Sequence, residues 1–458
     1  MTMQETPRST RRARSIQVLR PDEEQPLGDV SGRLRQGVTS WMKSPVFDFY
    51  ALVVLGTLLI GVGLVMVLSS SSVLNIAKGQ SGFAGLFSQG SFALLGLIGL
   101  LIAASFPPGF YRKAAPLLLL LGYALQSLVH TPLGFEVNGN RNWIRLFGMT
   151  LQPSELLKLA LAVWLGALLA TKRPLLHRPG HLLFPLVPGV LIALGLVMWG
   201  HDLGTTMVMC MLVAGSLWVA GVPRRWFALG AVVGVIAVVT MALTNQNRMN
   251  RISNWLHGEC PNNSCLQSER GLMGLAEGGW WGVGLGSSRQ KWGRLPAAQD
   301  DYIFAILGEE GGLLGTLLVL FLFACLALVL GRMITNIDDV FQQVTIAGIA
   351  SWLLGQAFVN MSVVTGLLPV LGVPLPFISS GGSALLSSML ALGVLLSFAR
   401  HEAGAQAALG ASVRNVRRSI SVLAGPRPTA DGSAHTTSSS AKRSARRTSR
   451  RRRKDHTR

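Results

Sequence analysis

From Asp48 to Arg400 the chain alternates between long apolar stretches and short polar interruptions. The first apolar run covers about 48–72, and others follow at 83–105, 114–130, 154–171, 182–200, 203–222, 226–243, 302–331, 343–366 and 380–399. At a rise of about 1.5 Å per residue, each can cross a hydrocarbon layer about 30 Å thick. Lipid offers no partner to a peptide N–H or C=O, so each run is predicted to be a helix that satisfies its own backbone. The pattern predicts an all-α integral membrane protein of about ten transmembrane helices within residues 48–400. Its longest connection, about 244–301, lies between the seventh and eighth helices.

Composition agrees with the pattern. Of 458 residues, 50% are hydrophobic and 14% are charged, whereas soluble domains carry about 25% charge. Mean hydropathy is +0.44. An ordinary water-soluble enzyme is excluded. The 52 glycines follow no G-X-Y period, which excludes collagen and suits closely packed membrane helices. Four cysteines are too few for a disulfide scaffold.

The net charge of +20, from 41 basic and 21 acidic residues, fits nucleic acid, anionic lipid or an anionic substrate. No nucleic-acid recognition fold accompanies it, so no nucleic-acid partner is expected. Where the charges fall sets the orientation. Arg112, Lys113, Lys172, Arg173, Arg178, Arg224, Arg225 and Arg332 share one set of loops with both tails. The positive-inside bias makes that side cytoplasmic and sends loop 244–301 outward. The basic tail 1–47 lacks the apolar core and cleavage site of a signal peptide. The tail 401–458, ending in Arg450 to Lys454, is predicted to be disordered. It either binds membrane lipids or an acidic cytoplasmic partner, or is a solvated segment that orients the chain. Cys260 and Cys265 in the outward loop either close a small disulfide or remain two thiols, while Cys210 and Cys325 are packing residues within spans.

Polar groups at membrane depth are costly and so mark candidate chemistry. In the stretch Asn138 to Lys158, Arg141 and Arg145 stand on the side where the charge rule disfavours cations, with Trp143 between them. An exterior anion such as a phosphate accounts for them. Pro153 suits a first helical turn, and Glu155 and Lys158 share a face, as an ion pair or as a functional pair. Asp202, in His201 to Thr206, is either a helix cap or a polar contact for substrate. The run Gly278 to Arg294 has nucleotide-loop glycine spacing but no preceding strand and an outward position, so it is not a nucleotide loop. Its Trp, Lys291 and Arg294 suit a sugar phosphate at the membrane surface.

In Leu295 to Gly312, Asp301 lies at the mouth of the eighth helix, with Asp300 available as a cap. Glu309 follows about 12 Å deeper on a neighbouring face. At least one of these carboxylates, or Glu310, is expected to be functional. Pro369, Pro374 and Pro376 break the chain into a re-entrant segment at 366–379, and Asn360 is expected to bond to a neighbouring helix.

These stretches, in this order, resemble the SEDS family of ten-helix proteins, which includes the FtsW and RodA branches. The resemblance rests on Asn138-Gly139 with Trp143-Ile144, Gln152-Pro153-Ser154-Glu155 with Lys158, Asp202 to Thr205, Asp301 to Glu310, and Pro376 to Ser383. Ser380 stands where the family has Tyr, Gln299 where it often has His, and His201 where Pro is common. The basic tails and Gln267 to Arg270 look more like the division branch of actinobacteria.

The resemblance implies an inverting peptidoglycan glycosyltransferase that polymerises lipid II at the outer face of the cytoplasmic membrane. It implies that Asp301 is the general base and that burial raises its pKa. Ser379, Gly381 and Gly382 join Glu155, Lys158 and Asp202 as candidate substrate contacts. Because the donor leaves as a lipid pyrophosphate, no general acid is needed. Arg141, Arg145, Lys291 or Arg294 would neutralise the pyrophosphate, alone or with Mg or Mn. The implied partners are the nascent glycan strand, a class B penicillin-binding protein of the FtsI type, and other divisome proteins at the septum. A lipid II flippase, an elongation polymerase and a scaffold without chemistry are the competing readings.

Overall fold

A computed structural model describes residues 44–407 except 45, 78, 80, 138–139, 147, 174–178, 244–248, 250–251, 254, 257–264 and 403. Nearly all of both tails, and Cys260 of the cysteine pair, lie outside the described residues.

A helix stands on every predicted apolar run. In chain order these are α1 (Phe47–Ala77), α2 (Ala84–Ser105), α3 (Pro108–Ser127), α4 (Pro153–Lys172), α5 (Pro179–Trp199), α6 (Leu203–Val219) and α7 (Arg224–Leu243). After α8 (Leu266–Gly278) come α9 (Ile303–Asn336), α10 (Val340–Val364) and α11 (Gly382–Arg400). By length and composition, α1, α2, α4, α9, α10 and α11 can each cross a membrane. The boundaries follow local chemistry. Pro108 and Pro153 open α3 and α4, where a missing N–H costs nothing. Asp339 caps α10 by accepting the Phe341 N–H at 3.2 Å. Phe184, which precedes Pro185, is extended and breaks the start of α5.

α10 and α11 form the centre of the bundle, and Phe341, Trp352 and Phe398 are fully buried there. α1 and α2 instead turn apolar side chains such as Val54, Leu58, Leu94 and Leu101 outward. A surface of that kind is stable in hydrocarbon and not in water. At one end, Asp48 of α1 accepts Arg332 Nε of α9 at 2.9 Å, and the guanidinium lies over the Phe47 ring.

Two features are absent from the all-helical expectation. The first is a three-stranded antiparallel sheet between α3 and α4, formed by β1 (Gly134–Val137), β2 (Asn140–Leu146) and β3 (Met149–Leu151). Phe135 pairs with Trp143, and Arg145 with Thr150. Gly134 begins β1 so close to the preceding turn that a Cβ would stand 1.8 Å from Val129 O.

The second is a break in α9 at Gly312 (φ 64°, ψ −163°). The run 279–284 docks into this break through main-chain bonds. Val283 N donates to Glu309 O at 2.9 Å, Gly284 N to Glu310 O at 3.1 Å, and Leu313 N to Gly279 O at 2.8 Å. A Cβ on Gly312 would lie 2.4 Å from Gly282 N. The glycine-rich run is thus a backbone joint for a broken helix.

Candidate active site

Asp301 ends the turn that leads into α9 and is half-buried. The residue before the helix is Tyr302, and no side chain caps it. Asp300 therefore does not act as the expected cap. Its carboxylate accepts the Ser380 hydroxyl, while Ser379 Oγ donates to Asp300 O at 2.6 Å and Ser380 N to Gln299 O at 3.0 Å. Burial pushes the Asp300 carboxyl above the ordinary carboxylate range, and the Ser380 hydroxyl offsets part of that. Three links thus tie the approach to α9 to the chain just before α11.

The segment between α10 and α11 is irregular and folded into the bundle, as its prolines predict; Val373, Leu375, Phe377 and Ile378 are buried. Ser379 Oγ takes the Leu375 N–H at 2.8 Å, and Gln89 Nε2 donates to Ser379 O at 3.1 Å. Gly372 (φ 69°) brings this wall against the acid, since a Cβ there would stand 3.5 Å from Asp301 Oδ2. Asn360 does not reach a neighbouring helix as expected. Its Nδ2 donates to Asp301 O and to Val373 O, both at 2.7 Å.

A second polar set lies within the bundle. Lys158 Nζ is 2.8 Å from Glu155 Oε1 and 2.8 Å from Gln356 Oε1, and it sits 5.0 Å from the Trp352 ring centre. Ser387 Oγ donates to Glu155 Oε2 at 3.2 Å. Gln356 joins this set to the site wall, because its Nε2 donates to Pro374 O at 2.8 Å. Asp202 caps α6, accepting Thr205 N at 2.9 Å and Thr205 Oγ1 at 2.6 Å, with Gln152 Nε2 at 3.2 Å.

Glu309 and Glu310 hold the run 283–291. Glu309 accepts the Ser288 hydroxyl and the Arg289 N–H, the latter at 2.6 Å. Glu310 meets Lys291 Nζ at 3.0 Å and accepts Ser69 Oγ of α1 at 2.6 Å. Lys291 lies inside the protein as half of an ion pair.

The other sequence candidates separate into inner and outer groups. Arg141 is spent on backbone, with Nε to Val129 O at 3.0 Å and Nη2 to Thr131 O at 2.9 Å. Trp143 is half-buried in the sheet, whereas Arg145, lying over Phe135, and Arg294 are exposed. Gly381 precedes α11, and Gly382 lies against Phe92, where a Cβ would approach Cδ2 to 2.3 Å. Ser379, Asp300 and Asp301 converge; Glu155, Lys158 and Asp202 form the deeper set. Among the described residues no group of three His, Cys, Asp or Glu could hold a metal ion. Gln356 and Asn360 were not singled out as site residues, although two amides four apart in an apolar helix share a face and must find partners.

Residues 50–404 match the family model for FtsW, RodA and SpoVE, described as "Cell cycle protein". Over 404 residues the chain is 37% identical to the "Probable peptidoglycan glycosyltransferase FtsW" of Mycobacterium tuberculosis, covering 88% of this chain and 77% of that protein. It is 35% identical over 352 residues to "Stage V sporulation protein E" of Bacillus subtilis, covering 76% of this chain and 96% of that one. A solved chain from "Structural coordination of polymerization and crosslinking by a peptidoglycan synthase complex" superposes with a TM-score of 0.63 at 25% identity, covering 77% of this chain and 97% of that chain. Thermus thermophilus rod shape determining protein RodA shares the fold, with a TM-score of 0.59 at 24% identity over 77% of this chain and 97% of that chain. The chain is a multi-pass membrane protein that belongs to the FtsW/RodA/SpoVE family.

Proposed function

We propose that this protein is a peptidoglycan glycosyltransferase that polymerises lipid II at the outer face of the cytoplasmic membrane, with Asp301 as general base. The acceptor sugar's hydroxyl oxygen forms the new bond to the donor's anomeric carbon. The donor's bond to the lipid pyrophosphate breaks with inversion, and Asp301 takes the hydroxyl proton. The leaving group is already a stable anion, so a second carboxylate acting as acid is not required.

One observation carries the assignment. Glu155, Asp202, Glu309 and Glu310 are buried and engaged as ion-pair members, caps or loop anchors. Asp301 is half-exposed at the head of α9, beside the wall at Gly372. The exposed Arg145 and Arg294 suit the pyrophosphate better than Lys291, whose charge is paired, or Arg141, whose N–H groups are bonded to backbone carbonyls. Septal work is read from the likeness to FtsW relatives, cytoplasmic termini from the loop cations, and a class B penicillin-binding protein of the FtsI type as partner from the likeness to a chain of a synthase complex that couples polymerization to crosslinking. The basic C-terminal tail is a candidate contact for other divisome proteins.

The test is purified protein, with its partner transpeptidase, supplied with lipid II. Asp301→Ala is expected to remain folded and yield no polymer on a gel. Polymer at the wild-type rate would refute Asp301 as base. Wild-type protein that moved lipid II across vesicles without polymerising it would favour the flippase reading.

A further inference from the structure

We propose that Asn360 is a positioning residue for the glycosyl-transfer step, setting Asp301 against the Gly372 wall by holding the main chain of both at once. This inference rests on the reading of Asp301 as the general base. Asn360 lies in α10, almost fully buried, and its Nδ2 is 2.7 Å from Asp301 O and 2.7 Å from Val373 O. Two acceptors at that distance require an NH2 group, which fixes the orientation of the amide. One side chain thus uses both its protons to join the residue carrying the acid to the residue after Gly372.

The rest of the surroundings shows why the joint matters. Neither end of the joint belongs to a helix, since Asp301 lies before α9 and Val373 lies in the irregular chain between α10 and α11. Such segments lack the helical ladder that would otherwise fix them. The Ser379 and Ser380 links hold Asp300 and Gln299, and Asn360 holds the carbonyl of the next residue, Asp301. Four residues before Asn360, Gln356 holds Pro374 O at 2.8 Å, so one face of α10 grips two successive residues of the wall.

Asn360 touches no substrate in this proposal, so its loss should act on turnover and not on binding. A catalytic group displaced by about 1 Å can lose about 100-fold in rate. The experiment measures kcat and KM for lipid II with the full chain and its partner transpeptidase, together with thermal unfolding. Asn360→Leu keeps the branched shape and removes the donors, and the smaller Asn360→Ser can bridge at most one carbonyl. Both should lower kcat by about 10- to 100-fold with KM within about twofold. Asn360→Gln, which keeps an NH2 group, should recover part of the loss. Either folded donor-deficient variant turning over at the wild-type rate overturns the proposal. So does a loss that follows the unfolding temperature in all three variants, with no recovery in Asn360→Gln. Asp301→Ala run beside them separates the two ideas: if it polymerises normally, the base assignment itself has failed.

Discussion

Lys291 and Glu310 give the sharpest test of whether a cation in the outer loop serves substrate or fold. Their side chains are 1% and 0% exposed, with Nζ 3.0 Å from Oε1. Ser69 Oγ bridges them, accepting from Lys291 at 3.2 Å and donating to Glu310 at 2.6 Å. Removing one member of such a pair leaves a buried charge without its counter-ion, at a cost of about 3–5 kcal/mol. Lys291→Met should therefore destabilise by about that amount, and Glu310→Gln by somewhat less, because a neutral amide replaces the carboxylate. The double variant removes both charges and should recover most of the loss, a coupling of about 2 kcal/mol or more. The assay is unfolding in mixed micelles, followed by tryptophan fluorescence, for wild type, both singles and the double. Additive costs would refute the ion-pair reading. A Lys291→Met protein of unchanged stability but weakened lipid II affinity would make Lys291 a substrate ligand.

Two more outcomes follow from the backbone joint and the acid beside Asp301. Gly312→Ala forces a Cβ to within 2.4 Å of Gly282 N at a φ of 64°; strain of about 1–3 kcal/mol plus lost main-chain bonds should make the run 279–291 sensitive to limited proteolysis. Unaltered cleavage kinetics would count against the joint. Asp300 has a folded pKa raised by burial, so its stabilising contribution is complete below the ordinary carboxylate pKa and is lost as pH rises through the raised value. Asp300→Asn should abolish that fall in stability, and unfolding measured across the acidic and neutral range checks it; a parallel pH curve would refute the burial argument.

Much of the architecture was readable from the chain because lipid imposes one rule. Each apolar run had to be a helix, and each became one. The Glu155–Lys158 pair fell where spacing and charge suggested, whereas the Asp48–Arg332 link joins two helices remote in sequence. The sheet was missed because its strands are short and polar-flanked, although Asn138-Gly139 between Val137 and Asn140 carries the two-residue hairpin signal. Roles within the acidic run could not be read from spacing. Four carboxylates over eleven residues look alike in sequence, and burial together with their bonded partners separated Glu309 and Glu310 as anchors from Asp301. Lys291 and Arg141 looked like free cations for the same reason, since their partners lie on segments remote in sequence or are backbone carbonyls. Asn360 drew attention as a polar residue in an apolar helix, but its targets are main-chain atoms of two loops, which no side-chain pattern reveals.

The break in α9 constrains how this region can change over generations. Peptide groups fasten residues 279–284 to it, while the Glu309 and Glu310 side chains hold the residues that follow. Trp280 and Trp281 point outward, 68% and 81% exposed, and can be exchanged without loosening the fastening. Gly282 and Gly312 have no such freedom. Substitutions should accumulate on the outward rings while the two hydrogens that serve as side chains stay fixed, so drift can reshape the exposed face without undoing the joint beneath it.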